Sequence, residues 1–351
     1  LGLSNGQLGL ALFGMALGTL IGGRLGGVLA SRFGAWNVVR VGIPAFGGML
    51  WVAALTTSLA ALTLILLLFG TLASTVDVSM NAEGAVVERR SSRPLMSGFH
   101  AGWSLGLLTG ALVGVAAAGA GIRPSFQFGV VAILVATASA PVLGRVPERV
   151  SGERTTNSTG GGWSLQLALL GLIVFSSFFA EGAAADWSAV FVRDTVGAGA
   201  ALAASAFACF SLGMIGARLL GDRLAAAAGP VRLVAVSALT ASVGLAAALL
   251  APSAVTGIVG FGLLGIGLGP VVPTAVSAAT GAGMGAVEQV VSRVFTIGYF
   301  GGVAGPAVIG FTSSQISLRA ALLIPLCLVI FIAASSGRLA TALGSASRGF
   351  G

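Results

Sequence analysis

Long apolar runs separated by short polar breaks fill this chain, and the runs are too long for the core helices of a water-soluble domain. Eleven of them lie at about 8–30, 36–57, 60–87, 94–118, 124–145, 163–187, 198–222, 230–251, 254–280, 286–312 and 318–340. Each holds about 20 residues or more, enough for an α-helix to cross a hydrocarbon layer roughly 30 Å thick. The separators carry Gly, Pro, Arg or Asn, as between Gly34 and Asn37 or between Arg90 and Pro94. The pattern predicts an all-α membrane protein with eleven transmembrane helices.

The longest break, 147–162, reads PERVSGERTTNSTGGG. Its polar, Gly-rich composition cannot bury a core, so it is expected to be a flexible linker. It divides the chain into an N-terminal helical bundle of five spans (1–146) and a C-terminal bundle of six (163–351). Asn157-Ser158-Thr159 matches a glycosylation acceptor pattern, which a cytoplasmic linker makes coincidental.

Sliding the sequence against itself gives one productive register, a shift of 195. Gly18 then falls on Gly213, Gly26 on Gly221, Gly34 on Gly229, Gly70 on Gly265, Ser97 on Ser292, Gly106 on Gly301 and Gly110 on Gly305. With 55 glycines any one match is weak. A constant shift held over three helices without gaps points to two related six-helix units, a known transporter plan. In this register the span at 163–187 corresponds to positions before residue 1. The expectation is a chain lacking about one helix at its start, and the alternative is a genuine eleven-helix protein.

Composition supports lipid as the solvent. Apolar residues make up 56%, charged residues 8%, and the mean hydropathy is +1.03; a soluble domain carries roughly a quarter charged residues. The net charge of +8 comes from eighteen basic residues, all Arg. They do not interleave with aromatics as a base-stacking surface requires, so no nucleic-acid partner is expected. Fourteen of them (Arg24, Arg32, Arg40, Arg89, Arg90, Arg93, Arg145, Arg149, Arg154, Arg218, Arg223, Arg232, Arg338 and Arg348) fall at one set of alternate helix ends. Only Arg123, Arg193 and Arg319 fall at the other. Basic residues concentrate in cytoplasmic loops, which places the Arg-rich end in the cytoplasm. A bacterial inner (cytoplasmic) membrane location is expected. Cys209 and Cys327 lie in apolar stretches and read as small core residues; neither a disulfide, a metal site nor a cofactor is implied.

Residues 22–40, GGRLGGVLASRFGAWNVVR, resemble the loop signature of the major facilitator superfamily, in which a Gly, an Asp-Arg pair, an aromatic, a Gly and further basic residues follow the second helix of the fold. Gly27, Arg32, Phe33, Gly34 and Arg40 fit; Ser31 stands where the Asp is expected. The second half has Gly221-Asp222-Arg223-Leu224 before Gly229, with the Asp-Arg pair about one turn earlier. Residues 77–106, DVSMNAEGAVVERRSSRPLMSGFHAGWSLG, and 181–194, EGAAADWSAVFVRD, are similar to the MosC-like branch of that superfamily, which includes a protein implicated in transporting rhizopine, an inositol-derived compound. The resemblance implies a major facilitator fold of two pseudo-symmetric helical bundles, without its first helix. It also implies a monomeric secondary transporter of a small-molecule substrate.

An ionisable side chain at membrane depth costs several kcal/mol, so each is expected to face protein or a water-filled cavity. Ser74, Asp77 and Asn81 form a polar stripe on the third span; Asp77 is a candidate for proton exchange and Asn81 for substrate binding, against a reading as interhelical hydrogen-bonding glue. Glu83 and His100 come from adjacent antiparallel helices at similar depth, either as a proton relay or as a structural hydrogen bond. Trp103, one turn beyond His100, is a candidate platform for a sugar or polyol ring, or packing. Glu181 lies deep enough on the sixth span for coupling or binding. Asp186 and Trp187 are nearer the interface, Trp187 as an aromatic anchor, and Arg193-Asp194 belongs to the polar loop beyond. Arg293 lies about one-third of the way into the tenth span, with Gln289 and Thr296 on its face. Its expected partner is Asp77 or Glu181, or, by snorkelling, Glu288. At the cytoplasmic ends Arg32, Glu88, Arg89, Asp222 and Arg223 are expected to form a charge network that holds the inward-closed state. Glycines at 102, 106 and 110, and at 298, 301 and 305, allow close helix approach.

The expected function is alternating access by two bundles around a central site, moving a small polar, sugar- or polyol-like solute by symport, with protons as the candidate coupling ion. The alternatives are an exporter of drugs or metabolites and a non-transporting membrane receptor. An enzyme is not expected, because one His and two isolated Cys make no converging catalytic set.

Overall fold

The computed structural model describes residues 5–143, 164–250, 253–282 and 284–346; the linker expected at 147–162 lies outside them. Among the described residues thirteen helices follow one another: α1 (Asn5–Phe33), α2 (Ala35–Leu55), α3 (Leu59–Ser91), α4 (Met96–Gly119), α5 (Pro124–Leu143), α6 (Leu165–Val190), α7 (Ala200–Ala228), α8 (Pro230–Leu250), α9 (Ala254–Leu268), α10 (Val271–Gly281), α11 (Val287–Gln315), α12 (Leu318–Ala321) and α13 (Leu323–Ala346). A π-helical turn, Phe191–Thr195, extends α6. Ten of the expected spans are long and apolar enough to cross a membrane, and α4 supplies a 24-residue helix at the remaining position. Two expected spans are interrupted. Pro270 separates α9 from α10, and Leu322 separates α12 from α13 shortly before Pro325. A proline lacks the N–H that a continuous helix needs.

The chain forms two compact units. One contains Leu1–Glu83, Gly106–Gly161 and Gly285–Thr296, the other Gly84–Leu105, Gly162–Met284 and Ile297–Gly351; α3, α4 and α11 each contribute to both.

In the first unit α1 and α3 touch backbone to backbone. Gly14, Gly18, Gly22 and Gly26 recur every four residues along one face of α1, and a Cβ at Gly18 would fall on the Leu67 carbonyl. From α3, a Cβ at Gly70 would fall on the Met15 carbonyl. This approach lets Ser74 Oγ donate to the Thr19 carbonyl at 2.7 Å and Thr75 Oγ1 to the Gly22 carbonyl at 3.2 Å. Between helices surrounded by lipid the hydrophobic effect is absent, and such close packing and hydrogen bonding supply the attraction. Phe46 of α2 stacks on Phe69 of α3 at 4.6 Å. The start of α11 joins this unit, where Ser292 Oγ donates to the Gly23 carbonyl at 2.8 Å and its side chain fills the space beside Gly27.

The second unit repeats the α1–α3 contact at the shift of 195. A Cβ at Gly213 of α7 would fall on the Gly262 carbonyl of α9, and one at Gly265 on the Phe210 carbonyl; these are Gly18 on Leu67 and Gly70 on Met15, each displaced by 195. The turns repeat as well. Gly34 between α1 and α2 has φ 86°, and Gly229 between α7 and α8 has φ 79°, a left-handed conformation that glycine adopts without Cβ strain. Around this frame α8 and α9 meet at Gly244 and Gly260, and α11 meets α6 where Gly301 and Gly305 lie against the Phe175 and Phe179 carbonyls. Trp187 Nε1 donates to the Pro306 carbonyl at 3.3 Å, so this tryptophan ties α6 to α11 in addition to any interfacial role. Among the described residues nothing lies within 4 Å of a Cβ placed at Gly106 or Gly110, the positions that match Gly301 and Gly305.

The exterior carries large apolar side chains, among them Leu64, Leu107, Leu112, Phe126, Leu212, Val236 and Phe311. Cys327, expected in the core, is exposed, and Cys209 is half-buried.

Candidate functional site

In the first unit α3 carries Asp77 and Asn81 one helical turn apart. Asn81 is 8% exposed, and its Nδ2 donates to the Asp77 carbonyl at 2.9 Å and to Asp77 Oδ1 at 3.1 Å. Ser74, the third member of the polar stripe, bonds α1 instead. The stripe therefore splits: Ser74 is interhelical glue, whereas Asp77 and Asn81 form a carboxylate–amide pair. Arg293 is half-buried on α11, with Gln289 and Thr296 also half-buried; Thr296 Oγ1 donates to the Ser292 carbonyl. Glu83 belongs to this unit and His100 to the other.

In the second unit the dominant feature is Arg218, expected at a cytoplasmic helix end. Arg218 of α7 is 5% exposed. Its Nε donates to the Gly269 carbonyl at 3.3 Å, its Nη1 to Ser104 Oγ at 2.6 Å, and its Nη2 lies 3.7 Å from Glu181 Oε2. Each partner has a reason to be there. Gly269 would bond the N–H of residue 273 in a continuous helix, but Pro273 has none, so a buried carbonyl is left for the guanidinium. Ser104 donates its own proton to the His100 carbonyl at 3.0 Å and so presents a lone pair. Glu181 comes from α6 and is about one-third exposed. The carboxylate expected to meet Arg293 thus has a different cation beside it. A signal for Arg218 existed in the sequence, since it lies inside the expected span 198–222 just as Arg293 lies inside 286–312.

His100 is half-buried on α4, and Trp103 is exposed on the same helix. At the Arg-rich end, two carboxylates hold the N-terminus of α4. Glu88 Oε2 accepts from the amides of Leu95 (2.7 Å) and Met96 (2.8 Å). Asp222 accepts from Ser97 (2.9 Å) and Gly98 (2.7 Å). An N-terminus presents free N–H groups and a partial positive charge, so two carboxylates are favourable there. Arg89 Nη1 reaches the Thr280 carbonyl at 3.5 Å. Arg223 is exposed, and Arg32 is exposed with its guanidinium 5.3 Å from the Phe33 ring centroid. Ser31, in the position of the motif's Asp, donates to the Val28 carbonyl of its own helix. A cavity of about 320 Å³ opens here, lined by Glu88, Arg89, Arg93, Ser97, Asp222 and Ser277 among others; it lies among the groups that hold α4 and does not include Glu181 or Arg218. Among the described residues no group of three His, Cys, Asp or Glu is arranged to hold a metal.

Known proteins match this chain along most of its length. A sequence model of the Major Facilitator Superfamily matches residues 1–282. An uncharacterised MFS-type transporter of Yersinia pestis is 32% identical over 343 residues, 96% of this chain and 87% of its own. The membrane protein MosC of Rhizobium meliloti is 30% identical over 342 residues, 95% of this chain and 81% of its own. Among solved structures, FucP in an outward conformation superposes with a TM-score of 0.81 at 16% identity, over 96% of this chain and 91% of FucP. The proton:xylose symporter XylE superposes with a TM-score of 0.73 at 15% identity, over 96% and 87%.

Proposed function

The chain belongs to the major facilitator superfamily and resembles MosC within it, and from that premise we propose a proton-coupled secondary transporter of a small polar, sugar- or polyol-like solute. Membership makes it a multi-pass membrane transporter rather than an enzyme; the solute, the coupling ion, the bacterial inner membrane and the monomeric state belong to the proposal. Two structural neighbours, the fucose:proton symporter FucP and the proton:xylose symporter XylE, are consistent with it.

The observation that carries the reading is where the repeat breaks. At the shift of 195, Asp77 corresponds to Val272, Arg293 to Gly98, Arg218 to Gly23 and His100 to Phe295. Each half therefore builds the matching α1–α3 and α7–α9 contacts without a polar group at the position where the other keeps one. Charges at membrane depth are costly, and the matching half folds without them, which supports assigning Asp77 and Arg293 to a solute or an ion. Asp77, Asn81, His100, Trp103, Glu181 and Arg293 are the proposed binding or coupling residues. Arg32, Glu88, Arg89, Asp222 and Arg223 are the proposed cytoplasmic gate, with Asp222 and Glu88 the members that hold α4.

The test is uptake of a panel of sugars, polyols and drugs into proteoliposomes, with and without a pH gradient. Asp77→Asn and Arg293→Ala are each expected to abolish transport while the protein stays folded. Normal rates in both variants overturn the site, and uptake of amphiphilic drugs alone overturns the solute class.

A further inference from the structure

We propose that Arg218 and Glu181 together form a subsite for a neutral solute carrying adjacent hydroxyl groups; this rests on the transport reading above and adds to it a residue, Arg218, and a chemical requirement.

The Gly269 carbonyl and Ser104 account for one side of the Arg218 guanidinium, but not for a carboxylate beside its Nη2. The first-half counterpart of Arg218 is Gly23, whose carbonyl accepts from Ser292 in an uncharged contact. Replacing a buried ion pair by apolar groups is commonly neutral or stabilising, so stability alone does not account for keeping a guanidinium that is 5% exposed.

The pair is also incompletely satisfied. Arg218 is held from two sides, by the Gly269 carbonyl through Nε and by Ser104 through Nη1. These contacts fix the fork so that Nη2 faces Glu181, yet the 3.7 Å to Oε2 exceeds hydrogen-bond length. Desolvation of a charge is repaid only when its remaining donors and acceptors are bonded, and here a donor and an acceptor stand side by side with that bond unmade. Glu181, about one-third exposed, is the more accessible member.

The chemistry of the occupant follows from the two signs. A carboxylate would pair with Arg218 but be repelled by Glu181, and an ammonium group would meet the opposite conflict. A neutral vicinal diol suits both: one hydroxyl accepts from Arg218 Nη2, and its neighbour donates to Glu181. Hydrogen bonds to charged groups are the stronger kind, and the rigid, planar guanidinium makes the recognition geometric.

The experiment is equilibrium binding to the purified chain in lipid nanodiscs, read as ligand-induced thermal stabilisation. The probes are myo-inositol, L-fucose and D-xylose, with glucuronate as an anionic control and choline as a cationic one. Expected for the wild type is stabilisation by at least one of the three polyols and none by choline, with glucuronate weaker than the best polyol. Glu181→Gln is expected to weaken polyol binding by about tenfold or more. Because Arg218→Met alone strands a carboxylate, the decisive variant is the neutral double substitution Glu181→Gln/Arg218→Met. Both readings predict that the double variant is more stable than Arg218→Met alone, though below the wild type because the Gly269 carbonyl loses its donor; a purely structural pair predicts that the folded double variant binds polyols, and a diol subsite predicts that it does not. Polyol binding at wild-type strength in the folded double variant overturns the subsite and leaves transport intact as a reading. Glucuronate or choline binding more tightly than every polyol overturns the diol requirement. Stabilisation by no polyol overturns the subsite together with the sugar-like solute class, and polyol binding without any uptake in proteoliposomes removes the transport reading while the subsite stands.

Discussion

Asp222 holds the amides of Ser97 and Gly98 at 2.9 and 2.7 Å, while Glu88 holds those of Leu95 and Met96 at 2.7 and 2.8 Å. The first turn of α4 is thus divided between two carboxylates from different helices, α7 and the end of α3. Removing one should free two named amides and leave the other two protected. A lost N-cap costs about 1 kcal/mol, in a range of roughly 0.5–2. Charge assistance argues for the upper part of that range, and the half-exposed setting of Asp222 argues against going beyond it. A cost of about 1–2 kcal/mol corresponds to a factor of roughly 5–30 in a local opening equilibrium. The assay is amide hydrogen exchange with fragmentation fine enough to separate residues 95–98. Asp222→Ala is expected to accelerate exchange at Ser97 and Gly98 by that factor and to leave Leu95 and Met96 nearly unchanged. Glu88→Ala is expected to give the reverse. Uniform acceleration at all four amides would mean that α4 frays as a unit, and no acceleration would mean that these carboxylates do not hold it; either refutes the reasoning. Asp222→Asn keeps an acceptor and is expected to fall between the wild type and Asp222→Ala.

Gly18→Ala and Gly265→Ala each place a Cβ on a facing backbone carbonyl, where backbone must shift at a cost of about 1–3 kcal/mol; both should lower the thermal midpoint in detergent, and an unchanged midpoint would show that the helix pairs are looser than this. Gly106→Ala, with nothing within 4 Å among the described residues, should leave that midpoint unchanged or raise it, since alanine favours a helix interior by about 0.5–1 kcal/mol. Ser292→Ala removes the bond to the Gly23 carbonyl and is expected to cost about 1 kcal/mol, measurable by chemical unfolding; a cost near zero would assign that contact to packing alone. Trp187→Phe removes the bond to the Pro306 carbonyl and should cost a similar amount, without changing transport.

Spans and repeat were legible from the residues because both depend on local quantities. A helix crossing lipid must satisfy its own backbone, so its length and apolarity are written in consecutive residues. The glycines of two related halves must match wherever backbones touch, and the shift of 195 found in the sequence reappears as Gly18 on the Leu67 carbonyl and Gly213 on the Gly262 carbonyl. The turn glycines Gly34 and Gly229 were legible for the same reason, since a left-handed φ leaves little other choice. The polar stripe on α3 was legible as a stripe, although not its division into Ser74, which serves α1, and the Asp77–Asn81 pair.

Partnership was not legible. Glu181 invited a cation, and the sequence offered Arg293; the cation beside it is Arg218, which only the packing of α6, α7 and α4 brings to 3.7 Å. Sequence alone shows that Pro273 leaves the Gly269 carbonyl without a helical donor, but not which of eighteen arginines supplies one. Likewise Asp222 could be seen at a helix end, but not that the helix it caps is α4 rather than its own. Hydrophobic length and backbone contact are set within a helix or between repeats of it, so they can be read along the chain. A long charged side chain reaches several ångströms and chooses among helices that are distant in sequence, so its partner exists only once the bundle is assembled.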